Sequence, residues 1–368
     1  MKHVFDLLTE RRAGIQRSLL AWYRRSRRDL PWRRTSEPYP IMVAEFMLQQ
    51  TQVDTVVPYY RRFLERFPTL EVLAGTSQSS VLKAWEGLGY YTRARNLHRA
   101  ARAIVERFDG VVPSTYADLV SLPGFGPYTT AAVLSIAFNR AHAVVDGNVI
   151  RVLCRVFGIA HDVTRSSVKK QLSDIADRLL PKTVAGDFNQ AVMEMGATVC
   201  RPRSPECGSC PIGRHCEAFA TDRVESLPVR SPRKARPHHT MGVAIVRLGS
   251  EVLISRRPQS GLLAGLWEFP CARVSDGESL QSCCLRAARA VAGIEAKVES
   301  RFRTVDHAYT HFSVTMHAFL CAHEKGTARS VACADARWVE PGDLSDYAFS
   351  RANRKLIEAL SEESSELF

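Results

Sequence analysis

The sequence lacks an apolar run long enough to cross a membrane, which as a helix takes ~20 consecutive apolar residues. The N-terminal segment also lacks the apolar core of a secretory signal. It is rich in arginine, but Asp6 and Glu10 come early and no serine-rich stretch follows, which argues against an organellar presequence. From these absences we expect a cytoplasmic protein in a reducing compartment, with no membrane partner.

Acidic residues are scarce relative to basic ones. The 368 residues include 38 Asp and Glu against 50 Lys and Arg, which gives a formal net charge of +12 and a pI of about 9.4. This excess predicts an acidic partner, with nucleic acid as the leading candidate, although a solvated basic surface has the same composition. The length allows two or three domains, and the 45% hydrophobic content allows a substantial core.

Ten cysteines are present, and six of them have no ligand spacing. We interpret these six as small buried hydrophobic residues: Cys154, Cys271, Cys283, Cys284, Cys321 and Cys333. The other four form the pattern Cys200-x6-Cys207-x2-Cys210-x5-Cys216. Zinc sites usually combine two close cysteine pairs, whereas this segment has one pair flanked by single cysteines. The pattern therefore favours a four-cysteine iron–sulfur site, with structural zinc as the alternative.

A turn with the sequence LPGFGP, residues 122–127, separates two apolar runs. Gly124 and Gly126 permit positive φ and a close approach of another backbone. Pro127 suits the first turn of a helix, which we expect over residues 128–138, and a glycine turn leading into a helix N-terminus can bind phosphate. Asp146 follows at the start of another expected helix. The alternative is an ordinary helix–turn–helix in which the aspartate only caps a helix.

A single glutamate, Glu45, lies among the apolar residues of segment 41–48. If this segment is a helix, exclusion of water raises the pKa of Glu45, so that it is still protonated near neutral pH and can donate a proton. The alternative is a glutamate on the solvent face. The polar residues 49–52 that follow suit hydrogen bonding to base edges, or simply end the helix.

Segment 87–97, GLGYYTRARNL, places two tyrosines beside two arginines, which can stack on a base and neutralise phosphate. Segment 221–240 is proline-rich, basic and without periodicity, as is typical of a linker. Beyond it we expect an α+β domain with a hairpin, a helix and a further strand at Met241–Leu248, Val252–Arg256, Ser279–Ala292 and Phe312–Cys321.

Four of these features resemble the MutY family of adenine DNA glycosylases, within the helix-hairpin-helix/endonuclease III superfamily. They are LPGFGPYT (122–129), VVDGNV (144–149), the cysteine spacing, and GLLAGLWEFP (261–270), which resembles the start of a Nudix-type domain. The resemblance covers roughly residues 15–355. It implies a multidomain protein: a mainly α helix-hairpin-helix glycosylase domain with a [4Fe–4S] loop over residues 1–220, a linker over 221–240, and a C-terminal α+β Nudix-like lesion-recognition domain over 241–368.

The resemblance further implies excision of adenine mispaired with 8-oxoguanine or guanine in double-stranded DNA. Glu45 would protonate the leaving adenine, and an ionised Asp146 would stabilise the sugar cation. The other implied catalytic residues are Tyr128, Asn148 and Glu194. The implied DNA contacts are Arg33, Gln50, Thr51, Tyr90, Gly124, Gly126, and the loop Tyr309-Thr310-His311, where the family usually has Phe-Ser-His.

The nearest alternative is a bifunctional endonuclease III-like glycosylase and lyase that acts on oxidised pyrimidines. Such enzymes use a lysine near the position of Tyr128, and residues 126–132 contain no lysine. The resemblance therefore favours a monofunctional glycosylase, which we expect to be a monomer. A Nudix phosphohydrolase is disfavoured because the helix at 286–293 lacks the glutamates that hold Mg²⁺. A non-catalytic DNA-binding module is disfavoured because binding alone does not need carboxylates beside phosphate.

Overall fold

The computed structural model of the chain describes residues 2–232, 235–309 and 312–366. The chain forms two compact units, Met1–Ala74 with Arg99–Arg233, and Gly75–His98 with Lys234–Phe368. The expected fold class is confirmed: unit 1 is helical and unit 2 contains a β-sheet. The predicted domain boundaries at 220 and 241 stay a prediction. Within the described ranges, no helix combines the length and apolar character that a membrane span requires.

Unit 1, with the short segment 75–98, contains the first twelve α-helices of the chain. In chain order these are α1 (Lys2–Ser26), α2 (Pro38–Leu48), α3 (Val53–Arg66), α4 (Leu70–Gly75), α5 (Gln78–Ala84), α6 (Thr92–Phe108), α7 (Tyr116–Val120), α8 (Pro127–Phe138), α9 (Gly147–Val156), α10 (Ser166–Leu179), α11 (Ala185–Thr198) and α12 (Glu217–Ala220). Short 3-10 turns lie at Pro31–Arg33, Cys207–Ser209 and Gly213–His215. α5 and the start of α6 belong to unit 2.

Two helices, α2 and α8, form the centre of unit 1. Eight of the eleven residues of α2 are buried, as are residues 129–135 of α8. Both helices carry apolar residues on all of their faces, as expected for helices that the protein encloses on all sides. Both begin with a proline in the first turn, where the missing N–H has no helical partner. The carboxyl of Glu45 on α2 is therefore held inside a protein core.

The sequence indicated that both glycines of the turn before α8 permit a positive φ, and one of them adopts it. Gly124 has a φ of +80°. Gly126 instead has a φ of −79° in an extended conformation and serves as the N-cap of α8. The turn is anchored because Phe125 is buried and its ring packs edge-on against that of Phe46, with 5.4 Å between ring centroids. Both glycines remain exposed, so the N-terminus of α8 faces solvent.

Unit 2 is built on a mixed β-sheet. Its strands are β1 (His238–Leu248), β2 (Glu251–Arg256), β3 (Trp267–Glu268), β4 (Cys271–Arg273), β5 (Glu295–Ala308), β6 (Ser313–Lys325) and β7 (Asp335–Val339). The strand order is β3-β2-β1-β6-β5, with β7 beside β2 and β4 beside β1. β1 and β6 are parallel, and the other pairs are antiparallel, including the expected β1–β2 hairpin.

A helix covers each face of this sheet: α13 (Leu280–Ala292) and α14 (Arg351–Glu366). Because side chains alternate along a strand, Ala244 and Val246 of β1 pack in one cluster with α13, and Val243 and Ile245 pack in another with α14. α13 begins where predicted, since Ser279 caps it by accepting a hydrogen bond from the backbone N–H of Ser282 at 3.1 Å. The resulting layers match the expected α+β domain.

The approach of α11 to α8 leads to a stability prediction. A Cβ on Gly186 would lie 2.5 Å from the backbone oxygen of Ser135. We expect Gly186→Ala to lower the free energy of unfolding by about 1–3 kcal/mol because the two backbones must separate. Gly75→Ala is the matched control, since a Cβ there has nothing within 4 Å. Urea denaturation measures both, and equal stability of the two variants would contradict the close contact.

Candidate active site

Glu45 is a buried carboxyl of the predicted site. Only 3% of the residue is exposed, which excludes the solvent-face alternative. Burial raises the pKa of Glu45 to about 7, because water no longer solvates its charged form. The Tyr128 hydroxyl donates a hydrogen bond to Glu45 Oε2 at 2.9 Å and partly opposes that rise. Near neutral pH a large fraction of Glu45 is therefore protonated.

Asp146 is a helix cap, as the alternative interpretation held, and it also lines the candidate pocket. It is the N-cap of α9, with Oδ1 accepting from the backbone N–H of Val149 at 2.7 Å. Its other oxygen, Oδ2, accepts from Asn148 Nδ2 at 2.9 Å. Burial raises the pKa of Asp146, and these hydrogen bonds only partly oppose the rise. Its surroundings thus offer N–H donors to a carboxylate, unlike the apolar surroundings of Glu45.

One pocket of about 140 Å³ brings the predicted residues of unit 1 together: its lining includes Arg33, Glu45, Tyr128, Asp146, Asn148 and Glu194. A wider groove of about 770 Å³ shares Tyr128, Asp146 and Asn148 with it. That groove is also lined by Gln50, Thr51, Gly124 and Gly126, which were predicted to contact DNA. A narrow pocket that contains the two carboxyls therefore continues into an open, polar groove.

Glu194 is buried like Glu45 but has the opposite electrostatic environment. Arg28 donates to its carboxylate from Nε, Nη2 and the backbone N–H at 2.8–3.0 Å, and Arg33 Nη2 donates at 2.8 Å. Burial alone would raise the pKa of Glu194, but these hydrogen bonds lower it to about 2. Glu194 is therefore ionised at neutral pH, in a charge-assisted network that fixes Arg33 beside the pocket.

Arg28 and Arg151 hold other residues of the site in place through several hydrogen bonds, and neither was identified from the sequence. Arg151 is 8% exposed, and its guanidinium donates to Asn148 Oδ1 at 2.9 Å, to Gly196 O at 2.7 Å and to Cys200 O at 2.7 Å. An arginine within the apolar run of α9, one turn after Asn148, was the available signal. Hydrogen bonds thus lead from the peptide group of Cys200 through Arg151 and Asn148 to Asp146.

The four spaced cysteines line one pocket together with apolar residues of α9 and α11. In the described part of the chain, no group of three or more Cys, His, Asp or Glu residues is arranged as a metal site. Four sulfur donors nevertheless face this largely apolar pocket, and the Arg155 guanidinium places positive charge beside one of them, with Nη1 3.3 Å from Cys200 Sγ. The donor set fits a four-thiolate group.

The other predicted DNA contacts belong to unit 2. Tyr90 is 39% exposed, whereas Tyr309 is partly buried and stacks on Phe312 with 4.7 Å between ring centroids. Thr310 and His311 lie outside the described residues. Gln50 and Tyr90 both have a positive φ, +58° and +49°, an uncommon conformation for side-chain-bearing residues that is concentrated at functional sites.

Comparison with known proteins agrees with these features. A family model for the HhH-GPD superfamily base excision DNA repair proteins matches residues 43–178, and a NUDIX domain model matches residues 242–359. Adenine DNA glycosylase of Homo sapiens is 38% identical, over 96% of this chain and 75% of the relative. That of Rattus norvegicus is 36% identical, over 98% and 80%. A solved thermostable thymine-DNA glycosylase is 31% identical with a TM-score of 0.53, over 58% of this chain and 98% of that one.

The HhH-GPD match and the helical fold of unit 1 define the helix-hairpin-helix class of base excision repair proteins. Because the similarity extends over nearly the full chain and most of each relative, the chain belongs to the adenine DNA glycosylase family. The resemblance read from the four sequence features is thereby confirmed.

The pKa of Glu45 predicts a pH-dependent stability. The pKa of Glu45 rises from 4.5 to about 7 on folding. The contribution of Glu45 to the free energy of unfolding is therefore complete below pH 4.5 and is lost as the pH rises through 7. Glu45→Gln removes this loss, so its stability relative to wild type should improve by about 3 kcal/mol between pH 4 and pH 8. Urea denaturation at several pH values measures this. Glu65→Gln, at an exposed position on α3, should show no such trend; a similar trend in both variants would contradict the buried acid.

Proposed function

We propose that this chain hydrolyses the N-glycosidic bond of adenine mispaired with 8-oxoguanine or guanine in double-stranded DNA, without cutting the strand. The observation that carries the proposal is the shared pocket of Glu45 and Asp146, one carboxyl in apolar surroundings and one among N–H donors. The target nucleotide must leave the base stack to reach such a pocket. The groove beside the pocket has the hairpin N-terminus and polar side chains that suit the DNA backbone and base edges.

The chemistry needs two carboxyls in different protonation states. Neutral adenine is a poor leaving group, so Glu45 donates its proton to the base as the bond between the base nitrogen and the sugar C1′ breaks. The sugar develops oxocarbenium character, which the carboxylate of Asp146 stabilises. Glu45, now deprotonated, accepts a proton from the water that adds to C1′. The products are free adenine and an abasic sugar, and Glu45 is again protonated.

Neighbouring side chains position these two groups. Tyr128 holds Glu45 through its hydroxyl, and Asn148 holds Asp146 through its amide. Glu194 is too acidic to donate a proton, so we assign it to holding Arg33 rather than to acid catalysis. Among the described residues, Arg33 Nε is buried without a hydrogen-bond partner. That donor supports a contact between Arg33 and the extruded base.

Recognition of the mispair is assigned to the residues that the family resemblance indicates. Tyr90 and Gln50 fill the space left by the extruded nucleotide, and Tyr309, Thr310 and His311 read the opposing base. Exposure and positive φ at both Gln50 and Tyr90 support the first assignment. Action at chromosomal DNA in the cytoplasm, and a monomeric state, stay predictions.

A [4Fe–4S] cluster bound by Cys200, Cys207, Cys210 and Cys216 is the cofactor we propose. Such a group supplies redox-active iron and cross-links the segments that bear its ligands. In this chain the cross-link would hold the loop after α11 in place. Through Arg151, that loop also determines where Asn148 meets Asp146.

The excision reaction is tested with duplexes containing A opposite 8-oxoguanine, with and without hot alkali. Strand breaks at the adenine only after alkali are expected, because residues 126–132 offer no lysine for a Schiff base. Glu45→Gln should lower the single-turnover rate by roughly 10²–10⁴-fold, since the proton donor is lost, and the wild-type rate should fall above about pH 7. Glu65→Gln is the control. Cleavage without alkali at a damaged pyrimidine would favour the lyase, and near wild-type excision by Glu45→Gln would place the acid elsewhere.

The cofactor is tested by metal analysis and colour. We expect about four iron atoms per chain and a yellow-brown protein that loses both on Cys210→Ser, because one thiolate ligand is missing. Cys333→Ser, outside the four-cysteine pattern, should retain both. A colourless wild-type protein that contains zinc would refute the iron–sulfur assignment.

A further inference from the structure

The segment Gly75–His98 carries Tyr90 and is part of unit 2, although unit 1 precedes and follows it in sequence. Side chains of this segment bond to the C-terminal part of the chain. Gln78 Nε2 donates to Gln259 Oε1 at 2.8 Å, and Arg95 Nη1 donates to Ala264 O at 2.7 Å. Tyr90, which we propose inserts as a wedge where the nucleotide leaves the base stack, therefore belongs to the same compact unit as Tyr309.

Both backbone polar groups of Phe349 bond to this segment. The Phe349 N–H donates to Glu86 Oε1 at 2.8 Å, and the Tyr91 hydroxyl donates to Phe349 O at 3.0 Å. Lys83 Nζ extends the contact, since it donates to Glu86 Oε2 at 2.6 Å and to Tyr347 O at 3.0 Å. Tyr91 is 5% exposed, so its hydrogen bond is shielded from water.

Tyr91 and Arg93 hold the loop that bears Tyr90. The Gly87 N–H donates to the Tyr91 hydroxyl at 3.2 Å, which places that oxygen between the loop and Phe349. The Arg93 guanidinium lies 5.2 Å from the centre of the Tyr90 ring and donates to Gly89 O at 3.1 Å. The Tyr90 backbone, with its φ of +49°, is thus fixed by its surroundings.

Tyr309 lies beside the residue that follows Phe349. Tyr309 and Ser350, which is 2% exposed, line the same small pocket, and Tyr309 packs against the core cluster that contains Phe349. Segment 348–350 is itself rigid, because Phe349 is fully buried and the Trp267 N–H donates to Ala348 O at 2.9 Å. Phe349 therefore bonds to the Tyr90 loop, while Phe349 and Ser350 are the buried residues against which Tyr309 lies.

We propose that residues 348–350 couple the lesion-reading position at Tyr309 to the wedge at Tyr90, with Tyr91 and Glu86 as positioning residues. The coupling rests on the proposed function. A shift of Tyr309 against the base opposite adenine is transmitted by packing to the buried residues Phe349 and Ser350, and from Phe349 through its hydrogen bonds to the Tyr90 loop. Opening of the mispair then depends on which base Tyr309 meets, while the chemistry at Glu45 does not.

Tyr91→Phe tests the coupling by removing one hydroxyl. Binding is measured with duplexes that carry 2′-fluoro-2′-deoxyadenosine opposite 8-oxoguanine or guanine, because the fluorine destabilises an oxocarbenium-like transition state and prevents cleavage. We expect the preference for 8-oxoguanine, the ratio of the two Kd values, to fall about 3- to 10-fold, as for the loss of one hydrogen bond. The pH profile of the saturated excision rate, which reports Glu45, should not change.

Tyr39→Phe is the matched control. Its hydroxyl is likewise buried and donates to a phenylalanine carbonyl, Phe67 O at 2.7 Å, but within unit 1. It should lose a similar amount of stability and keep the wild-type Kd ratio. Equal ratios for Tyr91→Phe and Tyr39→Phe would overturn the coupling while leaving the proposed function intact. A wild-type chain with no preference for 8-oxoguanine would likewise overturn the coupling, whereas a wild-type chain that excises adenine from neither mispair would overturn the proposed function.

Ser350→Ala provides a second, independent variant. It should also lower the Kd ratio, and combining it with Tyr91→Phe should have less effect than the product of the two single changes, because both interrupt one connection. Effects that multiply would show that Tyr309 and the Tyr90 loop act independently, which would contradict the proposal.

Discussion

The burial of Glu45 on α2 is the constraint on which the candidate site depends. Enclosing a carboxyl among apolar side chains disfavours its charged form, and the pKa of about 7 that results keeps much of it protonated at neutral pH. The Tyr128 hydroxyl satisfies one oxygen without supplying a charge. Across the same pocket, Asp146 accepts N–H hydrogen bonds at the start of α9. The difference between the two surroundings makes an acid and a carboxylate available side by side.

Arginines organise the region around this pair. Arg28 and Arg33 enclose Glu194 and keep it ionised, so a third carboxylate lines the pocket without competing for the proton of Glu45. Arg151 bonds to Asn148 and to backbone carbonyl groups near the cysteine loop. Planar guanidinium groups can satisfy several acceptors at once, which explains why arginines connect loops and helix ends here.

The sequence was sufficient for the fold class and for several of the elements. The apolar α2 and α8, the glycine turn before α8, the Ser279 cap of α13 and the β1–β2 hairpin all follow from local patterns. Local rules did not distinguish Gly124 from Gly126, since both are free to adopt positive φ and only the geometry of the turn decides which one does. They also did not identify Arg151, because an arginine in a helix is usually exposed.

What the sequence alone determined was the set of residues: a glutamate among apolar neighbours, an aspartate before a helix, four spaced cysteines and a hairpin, in the order of a known family. These are properties of short segments, where neighbours along the chain set conformation. Tertiary structure decided the protonation of Glu45 and Glu194, because that depends on whether a buried carboxyl meets apolar side chains or two arginines from the loop and the 3-10 turn that follow α1. It also decided that the Tyr90 segment belongs with the C-terminal unit, since its partners lie more than 160 residues away along the chain.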